Sequence, residues 1–252
     1  MMEKKYKLTE ETINVDDRTL YRIEALRDFP NVKKGDKGGF VEKENNLSQS
    51  GDCWICDNAK VYDNALVRYN AEVRDDAEVC GNVLVSDNAK INGNAWVFGN
   101  VVVCGNAVVY DNAEISGDAK IFGNAQIRCD AVVCEDAKIY GHVIVCGNAK
   151  VYGNARIYGN AEVSGIAQVF GNTEIRGDAV ITSKSDYILF KNWWSSGRFF
   201  TWTRSNNMWK VGCFYGTGKE LIDKAYKDSE MSGEEYERVV KYVEAILKAN
   251  KL

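Results

Sequence analysis

From Ile55 onward every sixth residue is Val or Ile. The run passes through Val61, Val67, Val73 and Val79 to Ile175 and Ile181, twenty-two positions without an exception. Four residues after each stands a small or β-branched residue: Ala in most units, Val at 83, 101 and 143, Thr at 173. The two residues before that one are mostly Gly or Asp, then Asn or Asp. The unit is (Val/Ile)-x-(Gly/Asp)-(Asn/Asp)-Ala-x. The Ala-x-Val alternation predicts a short strand with both side chains on one face. The Gly-Asn pair predicts a turn, because these residues enter φ > 0 at low cost. Three strands and three corners close an 18-residue triangular coil. Residues 55–180 then make seven coils, stacked to roughly 34 Å at the ~4.8 Å strand spacing. A strict period of six does not fit the 3.6-residue turn of an α-helix.

These hexads resemble those of the hexapeptide-repeat proteins. The resemblance implies an all-β solenoid, a left-handed parallel β-helix of about seven to eight coils. The left hand comes from the resemblance and not from the spacing, and it opposes the usual crossover preference.

The two ends leave the pattern and divide the chain into an N-terminal β cap (1–54), the solenoid (55–181) and a small C-terminal α+β domain (182–252). In the cap, Thr19–Leu26 reads as a strand and Gly35–Gly39 as a turn. Val41, Leu47 and Cys53 are six apart, which starts an irregular first coil near Gly39. In the tail, Tyr187–Trp194, Arg198–Thr203 and Met208–Tyr215 read as aromatic-rich strands. Thr217-Gly218-Lys219-Glu220 is a capping box that opens a helix to about Lys227. Ser232-Gly233-Glu234-Glu235 opens a second helix, with Tyr236, Val239, Val240, Val243, Ile246 and Leu247 on one face. The segments Tyr21-Arg22-Ile23, Gly38-Gly39-Phe40-Val41 and Asn46–Trp54 resemble the entry of the YdcK-like proteins. Gly212-Cys213-Phe214-Tyr215-Gly216-Thr217 resembles a module frequent in phage and prophage proteins. Relatives of this kind carry an acetyltransferase label that rests on the fold, and fold does not fix function.

Composition narrows the function classes. The net charge is −4 and the chain is 45% hydrophobic, so bulk nucleic-acid binding and disorder are both disfavoured. No apolar run is long enough to span a bilayer, and the first residues lack an apolar signal core. Eight cysteines then read as free thiols in the cytoplasm, the host's if the gene belongs to a phage. Cys56, Cys80, Cys104, Cys134 and Cys146 all follow a Val/Ile and point outward. No two of them are 18 apart and C-x₂-C spacing is absent, so no metal site is expected.

Four chemistries remain. The resemblance implies acyl transfer from acyl-CoA with a His base, and the chain has one His, His142. It stands at a corner where Asn is usual, which also reads as a tolerated turn substitution. No loop interrupts the hexads to shape an acceptor pocket. The second is association. Leu66, Leu84 and Val102 stack beside Cys104, Phe122, Tyr140 and Tyr158 as an apolar stripe, which marks an interface. The resemblance implies a homotrimer, and the alternative is cover by the C-terminal domain. The third is anion binding by the tail. Arg198, Trp202 and Arg204 combine cations and an aromatic plane, and Thr217 and Lys219 lie at a helix start. The bland alternative is a packed core and a capped helix. The fourth is a structural scaffold or adaptor. The preferred reading is a non-enzymatic oligomeric binding protein of phage or prophage type. Its ligand would be a small anion, such as a host immune nucleotide signal, held in inter-subunit clefts without a cofactor.

Overall fold

A computed structural model describes residues 4–193 and 196–249. Trp194, predicted at the end of the first tail strand, lies outside the described residues.

Each hexad forms one short strand, of two residues except at Lys120–Gly123, Lys138–Gly141 and Arg156–Gly159, which have four, and strands 18 residues apart pair in parallel. Lys60-Val61 pairs with Glu78-Val79, Leu66-Val67 with Leu84-Val85, and Glu72-Val73 with Lys90-Ile91. Three parallel faces result, entered in chain order at Val61, Val67 and Val73, here the first, second and third face. Inward Val and Ile side chains and the corner Ala residues are fully buried. The architecture is a parallel β-solenoid of about eight coils, and three strands per 18 residues fit the left-handed β-helix.

The corners explain the turn chemistry in more detail than the hexad alone. At all twenty-one corners from Asp57 to Gly177, the first corner residue has positive φ. Thirteen are Gly, and the other eight include Asp63, Tyr69, Cys129 and Glu135. The acidic ones have a specific use. The Asp57 carboxylate accepts from the Asp75 N–H, and the Asp75 carboxylate accepts from the Gly93 N–H at 2.9 Å. Asp63, Asp87 and Asp111 do the same one coil on. The second corner residue builds amide ladders, as in Asn70 to Asn88 to Asn106 to Asn124, at 3.0–3.1 Å. From Asp57 to Gly153, successive coils are thus bound through corner side chains as well as through the backbone.

At the N-terminal end, strands β1 (Tyr6–Val15) and β2 (Arg18–Ala25) form an antiparallel hairpin. Strand β3 (Lys37–Val41) joins it to the first face, pairing antiparallel with β2 and parallel with Lys60-Val61. The predicted glycine turn is therefore strand at Gly38 and Gly39. Close approach selects glycine there, since a Cβ on either would lie 2.5 Å from the carbonyl oxygen of Ile55 or Ala59. The first coil holds two extra residues. Val41 aligns with Val61 and Leu47 bridges Val67, but Ile55, and not Cys53, takes the third inward position opposite Val73. The extra residues lie in the 48–53 turn, whose carbonyls the buried Lys5 ammonium binds at Gly51 and Cys53. The hairpin residues Ile13, Val15 and Leu20 pack with Phe40, Tyr62 and Cys80, burying part of the aromatic column on the first face.

Among the described residues the C-terminal domain has four strands where three were expected: Tyr187–Lys191, Phe199–Thr203, Met208–Val211 and Phe214–Gly216. A turn at Gly212, φ +53, splits the third expected strand. Helix α1 (Gly218–Asp228) starts at the predicted box, where the Thr217 hydroxyl accepts from the Glu220 N–H. Helix α2 (Glu230–Ala249) begins earlier than predicted, because Ser229 rather than Ser232 stands at its start and accepts from the Ser232 N–H. The alternation of the sheet sorts its two faces. Phe200, Trp202, Trp209 and Val211 pack against the helices. Tyr187, Thr201 and Lys210 face the last coil, where the Tyr187 hydroxyl donates to the Gln168 carbonyl. The sheet therefore closes the open end of the solenoid.

Candidate functional site

The apolar stripe of the second face consists of two adjacent columns. One runs Leu66, Leu84, Val102 and then Lys120, Lys138 and Arg156. The other carries Cys104, Phe122, Tyr140 and Tyr158, whose rings stack at 4.8 and 4.9 Å within 5° of parallel. All seven stripe residues are half-buried. Among the described residues, the C-terminal domain meets this ladder at its top, where the solenoid's Arg176 lies over the Tyr158 ring and over Tyr215 of the domain. Burial raises the Tyr158 phenol pKa, with the nearby Glu174 and Tyr140 adding to it.

His142 occupies the Asn position of its corner, in the column of Asn106 and Asn124. Its backbone N–H donates to the Gly159 carbonyl and its side chain is exposed. The corners on either side are ordinary two-residue turns, so no insert surrounds it.

The tail residues do not converge. Arg198 and Arg204 flank the strand Phe199–Thr203, about 20 Å apart along extended chain. Trp202 is 3% exposed in the domain core and its indole N–H donates to Asn207. The Thr217 hydroxyl and backbone N–H both bond the Glu220 carboxylate, so the α1 terminus is already occupied by an anion from its own chain. Those bonds hold the Glu220 carboxyl below its usual range. Lys219 and Arg204 are exposed.

Arg198 belongs to a different group. A cavity of about 270 Å³ opens between the last coils and the C-terminal sheet. It is lined by Arg156 and Glu174 from the second face, by Phe199, Thr201 and Lys210 from the sheet strands, by Arg198 just before Phe199, and by Asn154, Asn172 and Gly212. Lys210 is 8% exposed, and its ammonium lies 2.9 Å from the Glu174 carboxylate and also bonds the Gly212 carbonyl. Arg156 reaches the same carboxylate at 3.6 Å, and the Tyr158 hydroxyl at 3.3 Å. The Thr201 hydroxyl accepts from the Glu174 N–H, which leaves its own proton to donate. The Arg198 side chain lies over Gly212, where a Cβ would come within 3.3 Å of it. Two cations thus pair with the Glu174 carboxylate, and a third, Arg198, lines the same cavity.

Other cavities are less specific. A 690 Å³ groove beside α2 is lined mainly by apolar side chains such as Ile188, Phe190, Val239 and Ile246. A 530 Å³ groove near Trp54 sets Lys37, Arg74 and Lys90 against Asp36, Asp52, Asp57 and Glu72. Among the described residues, no group of three His, Cys, Asp or Glu side chains is placed to hold a metal ion, and no helix is long and apolar enough to cross a membrane.

The sequence pattern singled out Arg198 but missed Arg156, Glu174 and Lys210. Arg156 and Glu174 are 18 apart in one column, so their pairing was available from the period. Lys210 alternates with Trp209 and Val211, which puts it on the other face of its strand. That this face meets the solenoid end was not encoded in any local pattern.

Comparison with known proteins agrees with the fold. Residues 149–165 match the family described as YdcK Beta solenoid repeat. A 55-residue stretch is 38% identical to the "Uncharacterized acetyltransferase YdcK" of Escherichia coli (strain K12), covering 21% of this chain and 17% of that protein. Uninterrupted hexads, three parallel faces and a matched solenoid repeat agree in showing a parallel β-solenoid of the kind the hexapeptide-repeat proteins form, over the matched part of the chain.

Proposed function

We propose that the protein is a non-enzymatic binding protein that holds a small anion in the cavity between the solenoid and its C-terminal domain. The observation that carries this reading is the charge of that cavity: Arg156, Arg198 and Lys210 against Glu174 alone. Lys210 is largely withdrawn from water, and a charged group in such a place interacts with an anion more strongly than a surface one does. Its burial is offset by Glu174 and the Gly212 carbonyl, which hold the ammonium in place at the cavity wall.

Assembly extends the reading. The half-exposed stripe from Leu66 to Tyr158 supports a homotrimer, and the tail motif supports a phage or prophage setting in which the anion is a host nucleotide signal in the cytoplasm. Native mass spectrometry of the purified protein, followed by denaturation, tests both parts. A trimer that releases a stoichiometric anion is the expected result. A protein that binds no anion below about 100 μM, roughly −5.5 kcal/mol, does not sequester one.

Acyl transfer is the second reading, favoured by the acetyltransferase name of the YdcK relative. It needs His142 as base, on an exposed corner without a surrounding insert. Acceptor-dependent release of CoA from acetyl-CoA, abolished in His142→Ala, would establish it in place of the first.

A further inference from the structure

We infer that the group recognised in this cavity is a phosphoryl dianion, either free phosphate or the terminal group of a phosphate monoester. The inference rests on the anion-binding reading above and specifies its ligand. Three features select a phosphoryl group. The first is charge: three cations less one carboxylate leave two positive charges, which match a dianion. The second is direction. Arg156 projects from a solenoid strand, Arg198 precedes the strand Phe199–Thr203, and Lys210 lies within the strand Met208–Val211. Donors from three separate segments can surround the oxygens of a tetrahedral group, whereas the two oxygens of a carboxylate lie in one plane; the Arg forks themselves would pair with either. The Thr201 hydroxyl adds a neutral donor.

The third feature is size. At about 270 Å³ the cavity falls just below the ~300 Å³ at which pockets begin to take whole drug-sized ligands. It accepts a head group, and the rest of a monoester must project outward. Phe199 is the aromatic ring in the lining among the described residues, a surface on which a nucleobase would stack.

Isothermal titration of the full chain tests this with four probes: inorganic phosphate, AMP, sulfate and succinate, at pH 7.5 and pH 5.0. Phosphate and AMP should bind at pH 7.5, and succinate at least tenfold more weakly. AMP tighter than phosphate identifies a monoester as the source, and the reverse order identifies the free ion. With a second pKa of about 6, a monoester is mostly a monoanion at pH 5.0, so AMP should weaken about tenfold. Sulfate stays a dianion throughout and controls for titration of the protein, where Glu174 is the carboxylate facing the site. Arg198→Ala, at an exposed position, should weaken AMP binding at least tenfold without unfolding the domain. Lys210→Met should abolish it, with the fold checked by circular dichroism. Succinate binding as tightly as AMP would overturn phosphoryl selection and leave anion binding standing. Absence of binding by all four probes to 1 mM would overturn both.

Discussion

In the solenoid a side chain's nearest neighbours are counterparts of itself, 18 residues away. Val stacks on Val, Asn bonds Asn, and Tyr140 lies between Phe122 and Tyr158. In the C-terminal domain the neighbours follow no repeat. Phe200 meets Trp209 and Tyr236 edge-on, and Thr217 bonds Glu220. A repeat makes ladders, and ladders of like residues cannot by themselves build an enclosed site of mixed chemistry. The cationic cavity arises where the repeat stops, with Arg156 and Glu174 from one region and Arg198, Thr201 and Lys210 from the other. Function, on this view, belongs to the seam.

The largest test is whether the two regions are separate cooperative units. Ile121 in the solenoid interior and Trp209 in the domain core are both buried. Truncation to Ala should cost about 2–5 kcal/mol for Ile121 and about 3–5 kcal/mol for Trp209. Nearest-neighbour coupling in a solenoid should spread the Ile121 defect along the coils. Hydrogen exchange should then show Trp209→Ala exposing amides of residues 187–249 while those of 79–151 stay protected. Loss of protection in both regions together would make the molecule one unit and dissolve the comparison.

Corners give the next test, because residues of one conformation differ there only in their side chains. Gly141 has φ +89, and a Cβ would lie 2.7 Å from the Gly159 carbonyl oxygen. Gly141→Val should cost about 2 kcal/mol or more. Cys129 already holds φ 60 without glycine, so Cys129→Gly should change stability by less than about 1 kcal/mol. Urea midpoints compare the two, and equal losses would show that φ is not what selects glycine at these corners. The same corners show what could be read in advance. The period gave the three faces, the inward residues and the turn pair, since each is repeated and each has a local cause. It did not reveal why Asp replaces Gly at some corners, which is the bond to the next coil's N–H. Nor did it reveal β1, where Thr9-Glu10-Glu11-Thr12 interrupts the apolar alternation, or the two-residue excess at 48–53. The seam was least visible, because Lys210 meets Glu174 through tertiary packing alone.

Acid should separate the regions in the same order. Asp186 sits where the solenoid ends. Partial burial raises its pKa, but bonds from Thr182 and Ser183 outweigh this, and the carboxyl is held below its ordinary value. The Asp186 carbonyl also accepts from the Arg204 N–H across the junction. A carboxyl lowered in the folded state stabilises fully above the unfolded value of about 3.9. That stabilisation is lost as pH falls toward the folded value. Limited proteolysis near residues 182–186 should therefore rise below about pH 4 in the native protein. In Asp186→Asn, proteolysis should be raised already at pH 7 and should change less with pH. A pH response unchanged in that variant would assign the acid sensitivity elsewhere.

The smallest expected effect concerns His142. Its column runs Asn70, Asn88, Asn106 and Asn124 through amide-to-amide bonds of 3.0–3.1 Å, and His142 interrupts it. Among the described residues the run of amide-to-amide bonds ends at Asn124, one coil before His142. His142→Asn should extend the ladder and stabilise the solenoid by about 0.5–1 kcal/mol. For a chain of this size that is a rise of about 1–4 °C in melting temperature. Ligand affinity at the seam should not change, since the corner lies outside the cavity lining. A lower melting temperature would mean that the histidine makes a contact within the solenoid or with a neighbouring subunit. Loss of CoA release in the same variant would give it the role that the acyl-transfer reading requires. The substitution therefore separates a corner residue that fills a repeat from one that has departed from it for a purpose.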